Sequence, residues 1–493
     1  MTLPAAHSPV AMKRAVLAVS CLTSFVMPFM ASAVGVAIPT IGRDLAMTAV
    51  ASGWIATAYL LAMTSFLVPF GRLADIVGRK RVFVWGMSIF VAGSALVALA
   101  GSGPVLIAWR AVQGVGIAMS AGTSVAMLTA VYPERERGGA LGLNAAAVYI
   151  GLSAGPVVSG VLTYHFGWRS IFAVNVPLGL ATVAVTIVML GRAEWTFARG
   201  ERFDLPGSIL YTVSLPAFVY GLSRIGEVAG PPLLAAGAAG LVGFVVWELR
   251  ARSPILQVRL FVDNRAFRYS NLATLASYAA ASATGFLMSF YLQYIKGLNP
   301  RDAGLILVCQ PVVQAVLSPP AGRLSDRVEP RVLASAGMVV CCVALVSLAF
   351  VSETTPTAVL VTELGVMGLG FALFSSPNTN AVMSSVERRW ASIAAAIVST
   401  MRVMGQTMSL GVVTVLLAVF VGDVAVTPAV HVELLAGIRV AFIVFAVVCA
   451  AGVLASLARG QVHAATDGPN GADAAMSPGE DGPAVRTSGR RDP

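Results

Sequence analysis

Fourteen apolar runs divide the chain, and each is close to the ~20 residues that a helix needs to cross a bilayer core ~30 Å thick. They lie near residues 14–39, 50–70, 82–101, 104–131, 138–163, 169–191, 206–223, 230–249, 266–292, 302–321, 332–351, 356–380, 390–421 and 436–458. Charged residues make up 11% of the 493 residues, whereas about a quarter of a soluble domain is charged. The sequence therefore predicts an all-α polytopic membrane protein that spans the lipid bilayer with fourteen transmembrane helices.

The positive charges are divided unequally between the two sides of the membrane. If the N-terminus is cytoplasmic, 25 of the 33 Lys and Arg residues fall in the chain ends and loops on that side, and 6 fall on the other side. The remaining two, Arg110 and Arg402, lie within spans. Because cytoplasmic loops carry an excess of Lys and Arg, the count predicts cytoplasmic N- and C-termini in a plasma (inner) membrane. The net charge of +10 is explained by this topology and indicates no nucleic-acid partner.

A basic motif occurs twice. The segment Gly71–Arg81 reads GRLADIVGRKR, and a weaker copy, GRLSDRVEPR, begins at Gly322. The copies follow the second and the tenth predicted span, as expected for two parallel repeats of six helices with two helices inserted between them, a transporter architecture. The predicted organisation is a cytoplasmic N-terminus at 1–13, a six-helix bundle at 14–191, two inserted helices with flanking loops at 192–265, a six-helix bundle at 266–458, and a disordered cytoplasmic tail at 459–493.

Residues that would carry enzymatic or metal chemistry are not grouped in this sequence. The five cysteines lie inside apolar runs without metal-ligand spacing, the four histidines are scattered, and no P-loop pattern occurs. We therefore expect no metal, no cofactor and no enzymatic activity. The alternative from another class is a membrane-embedded enzyme or a non-transporting sensor, which would need a His, Asp or Cys cluster near one membrane face.

Four further motifs accompany Gly71–Arg81 at defined spans. They are WIATAY at 54–59, LIAWRAVQGVG at 106–116, GLSAGPVVSG at 151–160 and WRSIFAVNVPLG at 168–179. Together the five resemble the major facilitator superfamily, and specifically its fourteen-helix drug/proton antiporter branch, over about residues 14–458. The resemblance implies the major facilitator fold and export of small amphipathic, drug-like compounds in exchange for protons by alternating access. A related alternative is an exporter of a specific metabolite or lipid-like compound with altered or no proton coupling; no adaptor protein is identified.

The resemblance assigns gating roles to the motif residues. Glycines permit close helix contact, Asp75 can pair with Arg79, and a proline inside a span removes a backbone hydrogen bond and bends the helix. The expected gating residues are Gly71, Asp75, Gly78, Arg79, Gly151, Gly155, Pro156, Gly322 and Asp326.

Charges inside spans are costly, for an Arg by ~2.5–3.5 kcal/mol on insertion scales, and are candidates for proton coupling. For Arg110 the coupling role is what the resemblance implies, and the alternative is a buried structural hydrogen-bond hub. These candidates are Arg110, Glu363 and Arg402, together with Asp75 of the loop motif. Glu363 is the one carboxylate well inside a predicted span, although it could instead lie near the outer surface. The first span departs from the family pattern, because Met30 stands where an acid is expected and Gly35 where an Asn is expected. The usual proton site is therefore in doubt.

Substrate sites in such folds lie near the membrane midplane between the repeats. Aromatic, Met and amide side chains near that depth are the expected binding residues. They are Phe29, Met30, Asn144, Tyr149, Tyr278, Phe286, Phe290, Gln310, Gln314, Phe374 and Asn378.

Overall fold

The computed structural model describes residues 9–191, 193–196, 198, 200–251, 253–325, 327–387 and 391–460. In this part of the chain all the regular elements are helical. They are α1 (Pro9–Asp44), α2 (Ala49–Val77), α3 (Arg79–Ala98), α4 (Gly103–Val131), α5 (Glu134–Phe166), α6 (Arg169–Leu190), α7 (Leu205–Ser223), α8 (Gly230–Arg250), α9 (Arg259–Asp263), α10 (Arg265–Ala281), α11 (Thr284–Phe290), a π-helical turn (Tyr291–Ile295), α12 (Pro300–Leu307), α13 (Cys309–Leu324), α14 (Pro330–Leu348), α15 (Thr357–Ser384), α16 (Ala391–Phe420), a 3₁₀ turn (Pro428–Val430) and α17 (His431–Ala458).

Fourteen helical segments of the described residues are long and apolar enough to cross a membrane, as predicted. Two of them are composite, because α10, α11 and the π turn form the ninth span, Arg265–Ile295, and α12 and α13 form the tenth, Pro300–Leu324. The seventh span begins with a cap in which the Asp204 side chain accepts a hydrogen bond from the Gly207 N–H. Pro206 follows in the first turn of that helix, where its missing N–H removes no helical hydrogen bond.

The six helices at each end of the chain pack in the same pattern. In the N-repeat, α1–α6, α1 packs on α5, α2 and α3 pack on α4, and α3 packs on α6. In the C-repeat, α10–α17, α10 packs on α16, α13 and α14 pack on α15, and α14 packs on α17. The helices in equivalent order make equivalent pairs, which is the signature of two parallel repeats.

The inserted helices α7 and α8 form a hairpin outside the two repeats. Helix α7 contacts both α2 and α16, one from each repeat. Its Tyr211 hydroxyl donates to the Thr64 carbonyl over 3.3 Å, and Leu215 and Val219 are buried in the same apolar cluster as Tyr211. The hairpin therefore lies against the interface between the repeats without entering it.

With an even number of spans, both ends of the described chain lie on one side of the membrane, here called the terminal side. On the opposite side the repeats are joined, since the Ala49 N–H donates to the Val424 carbonyl over 2.9 Å. Helix α5 crosses from the terminal side to the opposite side, and the burial of its side chains differs between these two parts. Between residues 138 and 146 only Ala140 and Asn144 are buried, whereas between 151 and 160 only Val158 is exposed. The repeats are thus packed together on the opposite side and apart on the terminal side.

Candidate functional site

A cavity of about 210 Å³ lies between the repeats. Its lining comes from α1, α2 and α5 of the N-repeat and from the ninth, tenth, twelfth and thirteenth spans of the C-repeat. The lining residues are Ala31, Ser32, Gly35, Val36, Ala56, Leu60, Leu152, Pro156, Tyr278, Ala281, Ser282, Gly285, Phe286, Leu307, Gln310, Pro311, Gln314, Phe371, Gln406 and Leu410. A concave, largely apolar surface with a few polar groups is typical of small-molecule sites.

The two walls of this cavity differ in chemistry. The N-repeat wall is apolar and small except for Ser32, and the Ser32 hydroxyl donates to the Pro28 carbonyl of its own helix over 2.9 Å. The C-repeat wall carries three Gln side chains, Tyr278 and Ser282. None of the lining residues, all of them described, is Asp, Glu, Lys, Arg or His. A bound molecule therefore meets hydrogen-bonding groups chiefly on one side.

Arg402 is the charged residue beside this polar wall. It lies on α16 one turn before the lining residue Gln406, and its guanidinium carbon is 5.7 Å from the ring centroid of Tyr278. One of its terminal nitrogens donates to the Thr379 hydroxyl over 2.7 Å. Its Nε is buried without a hydrogen-bond partner, and no carboxylate of the described residues pairs with it. The guanidinium is thus a cation with no ion-pair partner in the described part of the chain.

Four of the eleven residues expected to bind substrate line the cavity, namely Tyr278, Phe286, Gln310 and Gln314. The two asparagines do not. Asn144 accepts hydrogen bonds from Ser20 and Ser24 of α1, both at 2.8 Å. Asn378 donates to the Thr274 hydroxyl over 2.8 Å inside the C-repeat. Both amides hold helices of one repeat together, because depth in the membrane does not specify which face of a helix a side chain occupies.

The other five expected binding residues also lie outside the lining. These are Phe29, Met30, Tyr149, Phe290 and Phe374. Met30 is fully buried in the N-repeat, where the Asn175 side chain contacts its sulfur at 2.7 Å. Phe290 stacks behind Phe286, with ring centroids 4.6 Å apart. Phe371, which does line the cavity, lies one turn before Phe374, so the aromatic stripe of α15 was recognised but the wrong member was chosen.

The loop motif is almost entirely helical. Helix α2 continues to Val77, α3 begins at Arg79, and Gly78 between them has a φ of +128°, which favours glycine. The expected pair is present, since Arg79 and Asp75 are 2.8 Å apart. Arg79 also donates to the Ala126 carbonyl of α4 over 2.7 Å. Close helix contact at Gly71 is absent from this conformation, because no heavy atom lies within 4 Å of a Cβ built there. The gating role of Gly71 stays a prediction.

The weaker copy is only partly described. A Cβ at Gly322 would lie 2.7 Å from the Ser376 hydroxyl oxygen, so this glycine allows close packing of α13 on α15. Asp326 lies outside the described residues.

A segment after α6 covers the loop motif, which sequence reasoning did not anticipate. The Trp195 carbonyl accepts from the Arg79 N–H over 3.0 Å, and the Glu194 carboxylate accepts from the Lys80 N–H over 2.9 Å. Glu194 thereby caps the start of α3, where a negative charge is favoured by the helix dipole. The signal in the sequence is a segment that contains three acidic residues, Glu194, Glu201 and Asp204, beside a basic motif.

The glycines of α5 bring three helices together. A Cβ at Gly151 would lie 2.4 Å from the Phe25 carbonyl oxygen, and one at Gly155 would lie 1.9 Å from the Ser32 hydroxyl oxygen, both on α1. Toward the opposite side, Gly160 faces the Pro300 carbonyl across the repeat interface, at 2.6 Å from the built Cβ. The close packing expected at Gly151 and Gly155 is therefore present. Pro156, inside the continuous helix α5, lines the cavity.

Arg110 and Glu363 both lie away from the cavity lining. Arg110 is 1% exposed and donates from Nε to the Ile55 carbonyl over 3.1 Å and from a terminal nitrogen to Gln113 over 2.5 Å. Its guanidinium lies 4.2 Å from the Tyr59 ring centroid. Glu363 is partly exposed, lies at the end of the second turn of α15 on the opposite side, and accepts from the Ser347 hydroxyl over 2.7 Å. Arg110 thus links α2 and α4, and Glu363 links α14 and α15.

Another carboxylate is more deeply buried than Glu363. Glu248, near the terminal-side end of α8, is 3% exposed. Its Oε1 lacks a hydrogen-bond partner, and its other oxygen accepts from the Leu256 N–H over 2.9 Å. A Cβ built at Gly207 would lie 2.8 Å from Glu248 Oε1 and 2.6 Å from Asp204 Oδ2, so the two carboxyl groups are neighbours. The sequence prediction overlooked Glu248 because it ends an apolar run.

Two threonine pairs join α2 to α16. Thr64 and Thr407 have hydroxyl oxygens 2.7 Å apart, and those of Thr57 and Thr414 are 3.4 Å apart. All four side chains are buried. These contacts connect the second helix of one repeat with the fifth helix of the other.

The family model described as Major Facilitator Superfamily matches residues 20–259 and 271–488. The chain belongs to the major facilitator superfamily. This membership makes it a membrane transporter and not an enzyme, and it confirms the family recognised in the sequence.

Similar members of the superfamily are named for different transported compounds. The riboflavin transporter RibZ of Clostridioides difficile is 31% identical over 75% of this chain and 81% of its own length. The multidrug resistance protein Stp of Mycobacterium tuberculosis is 34% identical over 78% of this chain and 72% of its own. The cephamycin export protein CmcT of Amycolatopsis lactamdurans is 33% identical over 80% and 83%.

The fold is also similar to that of a solved transporter. The crystal structure of the peptide transporter POT in complex with alafosfalin superposes with a TM-score of 0.65 over 88% of this chain and 93% of that one, at 14% identity. This similarity confirms the major facilitator fold.

Proposed function

We propose that this superfamily member exports amphipathic, drug-like compounds by alternating access, in exchange for protons. The observation that carries the proposal is the cavity between the repeats, in which nearly all polar side chains belong to the C-repeat wall and the N-repeat wall is apolar except for Ser32. The repeats are packed together on the opposite side and apart on the terminal side. A compound enters from the terminal side, and rocking of the repeats then opens the opposite side.

The charge distribution supports the proposed orientation. The terminal side carries most of the 33 Lys and Arg residues, and such an excess is typical of the cytoplasmic side of a plasma membrane. The cavity therefore loads from the cytoplasm. Relatives named for multidrug resistance and cephamycin export support export over uptake.

Proton exchange is assigned to carboxylates outside the cavity lining. Protonation of Asp75 would remove the ion pair with Arg79 of α3, which is also bonded to α4, and would break this one link from the end of α2 to α4. Glu363 is the second carrier, and Arg110 and Arg402 supply fixed positive charge within the spans.

Two observations favour a second mode of transport, the export of a specific metabolite or lipid-like compound without protons. The described lining contains no carboxylate, and Met30 occupies the position of the expected first-span acid. An anion leaving a cell whose interior is negative gains about 2.3 kcal/mol per 100 mV of membrane potential. Such a substrate needs no proton exchange.

The two modes are separated with inside-out vesicles from a bacterial host that lacks its own multidrug exporters. Uptake of the fluorescent cation ethidium and the fluorescent anion anilinonaphthalenesulfonate is followed under an imposed pH gradient or an imposed potential. Exchange of one proton for one ethidium cation moves no net charge and predicts ethidium uptake under an imposed pH gradient without a potential. Glu363→Gln reduces this uptake, while the exposed-site control Glu353→Gln has no effect. Uptake that responds only to potential supports the second mode, and no uptake of either probe contradicts export of amphipathic compounds.

A further inference from the structure

We infer that the cavity accepts an amphipathic organic anion, whose acidic group lies against the C-repeat wall beside Arg402 and whose apolar body lies against the N-repeat wall. This inference rests on the proposed function and specifies the class of its substrate.

Arg402 carries a positive charge inside a span. A guanidinium within a span is costly, and such residues face the protein interior and pair with acids or carbonyls. Arg402 has five N–H donors, yet its recorded contacts are the Thr379 hydroxyl and the face of the Tyr278 ring. The buried Nε has no partner. Within the described residues the site therefore has a positive charge and no anion to balance it.

The C-repeat wall also carries hydrogen-bond donors other than Arg402. Gln406 shares the Arg402 face of α16, one turn away, and Gln310 and Gln314 face the cavity from α13. Hydroxyl and amide donors next to a guanidinium bind a carboxylate, sulfonate or phosphate through charge-assisted hydrogen bonds. A cationic substrate would find no acid in the lining and would be repelled by Arg402.

The N-repeat wall determines which apolar body of the substrate fits the cavity. Residues of α1, α2 and α5, such as Val36, Leu60 and Leu152, present apolar side chains. At Gly35 no heavy atom lies within 4 Å of a built Cβ, so the wall is recessed there. An aromatic or aliphatic body fits this surface, and it places the acidic group toward the C-repeat.

The test compares three probes with one skeleton and different charge. The purified full chain in lipid nanodiscs is titrated with 1-naphthylacetate, 2-(1-naphthyl)ethanol and 2-(1-naphthyl)ethylammonium, and empty nanodiscs correct for partition into lipid. We expect the acid to bind at least about tenfold more tightly than the alcohol, a difference of ~1.4 kcal/mol, and the amine to bind least. Arg402→Gln removes the preference, Arg402→Lys retains it, and the distant control Arg439→Gln leaves it unchanged.

Two results would overturn the inference: equal or tighter binding of the amine to the unmodified protein, or a preference for the acid that survives in a folded Arg402→Gln variant. Results that contradict export can be distinguished from results that contradict the preference for an anion. If the acid binds in an Arg402-dependent way but no probe crosses the membrane in the vesicle assay, export fails and the inference stands. If ethidium is exported and the acid is not preferred, export stands and the inference fails.

Discussion

The contact between Gly160 and the Pro300 carbonyl offers a direct way to shift the conformational equilibrium. A Cβ at Gly160 would lie 2.6 Å from that oxygen, whereas ordinary contact requires at least 3.4 Å. The neighbour is backbone, so no side-chain rotation relieves the overlap. Gly160→Ala should therefore separate α5 from α12 on the opposite side.

The magnitude follows from the cost of overpacking, about 1–3 kcal/mol. The cost falls on the conformation that is closed on the opposite side and is absent when α5 and α12 separate. The ratio of the two conformations should change about 5- to 150-fold toward opening on the opposite side. Gly142→Ala on the same helix is the matched control, because a Cβ there has no heavy atom within 4 Å.

Double electron–electron resonance measures the change. The five native cysteines are replaced by alanine, and spin labels are attached at the exposed positions Leu143 and Leu324 for the terminal side, or Phe166 and Leu305 for the opposite side. We expect longer opposite-side and shorter terminal-side distances in Gly160→Ala only. Unchanged distances, or the same change in Gly142→Ala, would refute the reasoning.

Three further substitutions test single contacts. Thr407→Val removes the buried bond to Thr64 between the repeats and should weaken their association by about 0.6 kcal/mol; a distance distribution on the opposite side identical to that of the unmodified protein would contradict this. Arg110→Met should reduce transport on the order of tenfold and stability by about 1–3 kcal/mol, because the Ile55 carbonyl and the Gln113 side chain lose their buried donor; unchanged transport by the folded variant would contradict this. Glu248→Gln should stabilise the hairpin by about 1–3 kcal/mol, since its amide can donate to Asp204, and a lower melting temperature would exclude this.

The number of spans and the family were predictable because both depend on local composition and short motifs. Twenty apolar residues in succession leave the chain few alternatives in a bilayer, so even the span that begins at Leu205, with Pro206 in its first turn and Pro216 inside it, is predictable. The pair of Asp75 with Arg79 was also predictable, because four residues along a helix bring two side chains to the same face.

The cavity was predicted less well because its lining depends on rotation of each helix about its axis. Asn144 and Asn378 turn to Ser and Thr side chains of their own repeat and not to the cavity. Gln406 and Phe371 were overlooked although each lies one turn from a residue that was selected. In a lipid-exposed chain the apolar stripe does not mark the interior, so helical periodicity does not show which face meets the cavity.

The direction of transport is measured most directly by comparing vesicles of opposite orientation that contain the full chain. Energised inside-out and right-side-out vesicles are given anilinonaphthalenesulfonate, and the probe inside them is measured relative to vesicles with Arg110→Met. Export from a cavity loaded on the cytoplasmic side predicts accumulation in inside-out vesicles and none above the control in right-side-out vesicles. Accumulation in right-side-out vesicles alone would contradict the proposed direction of transport.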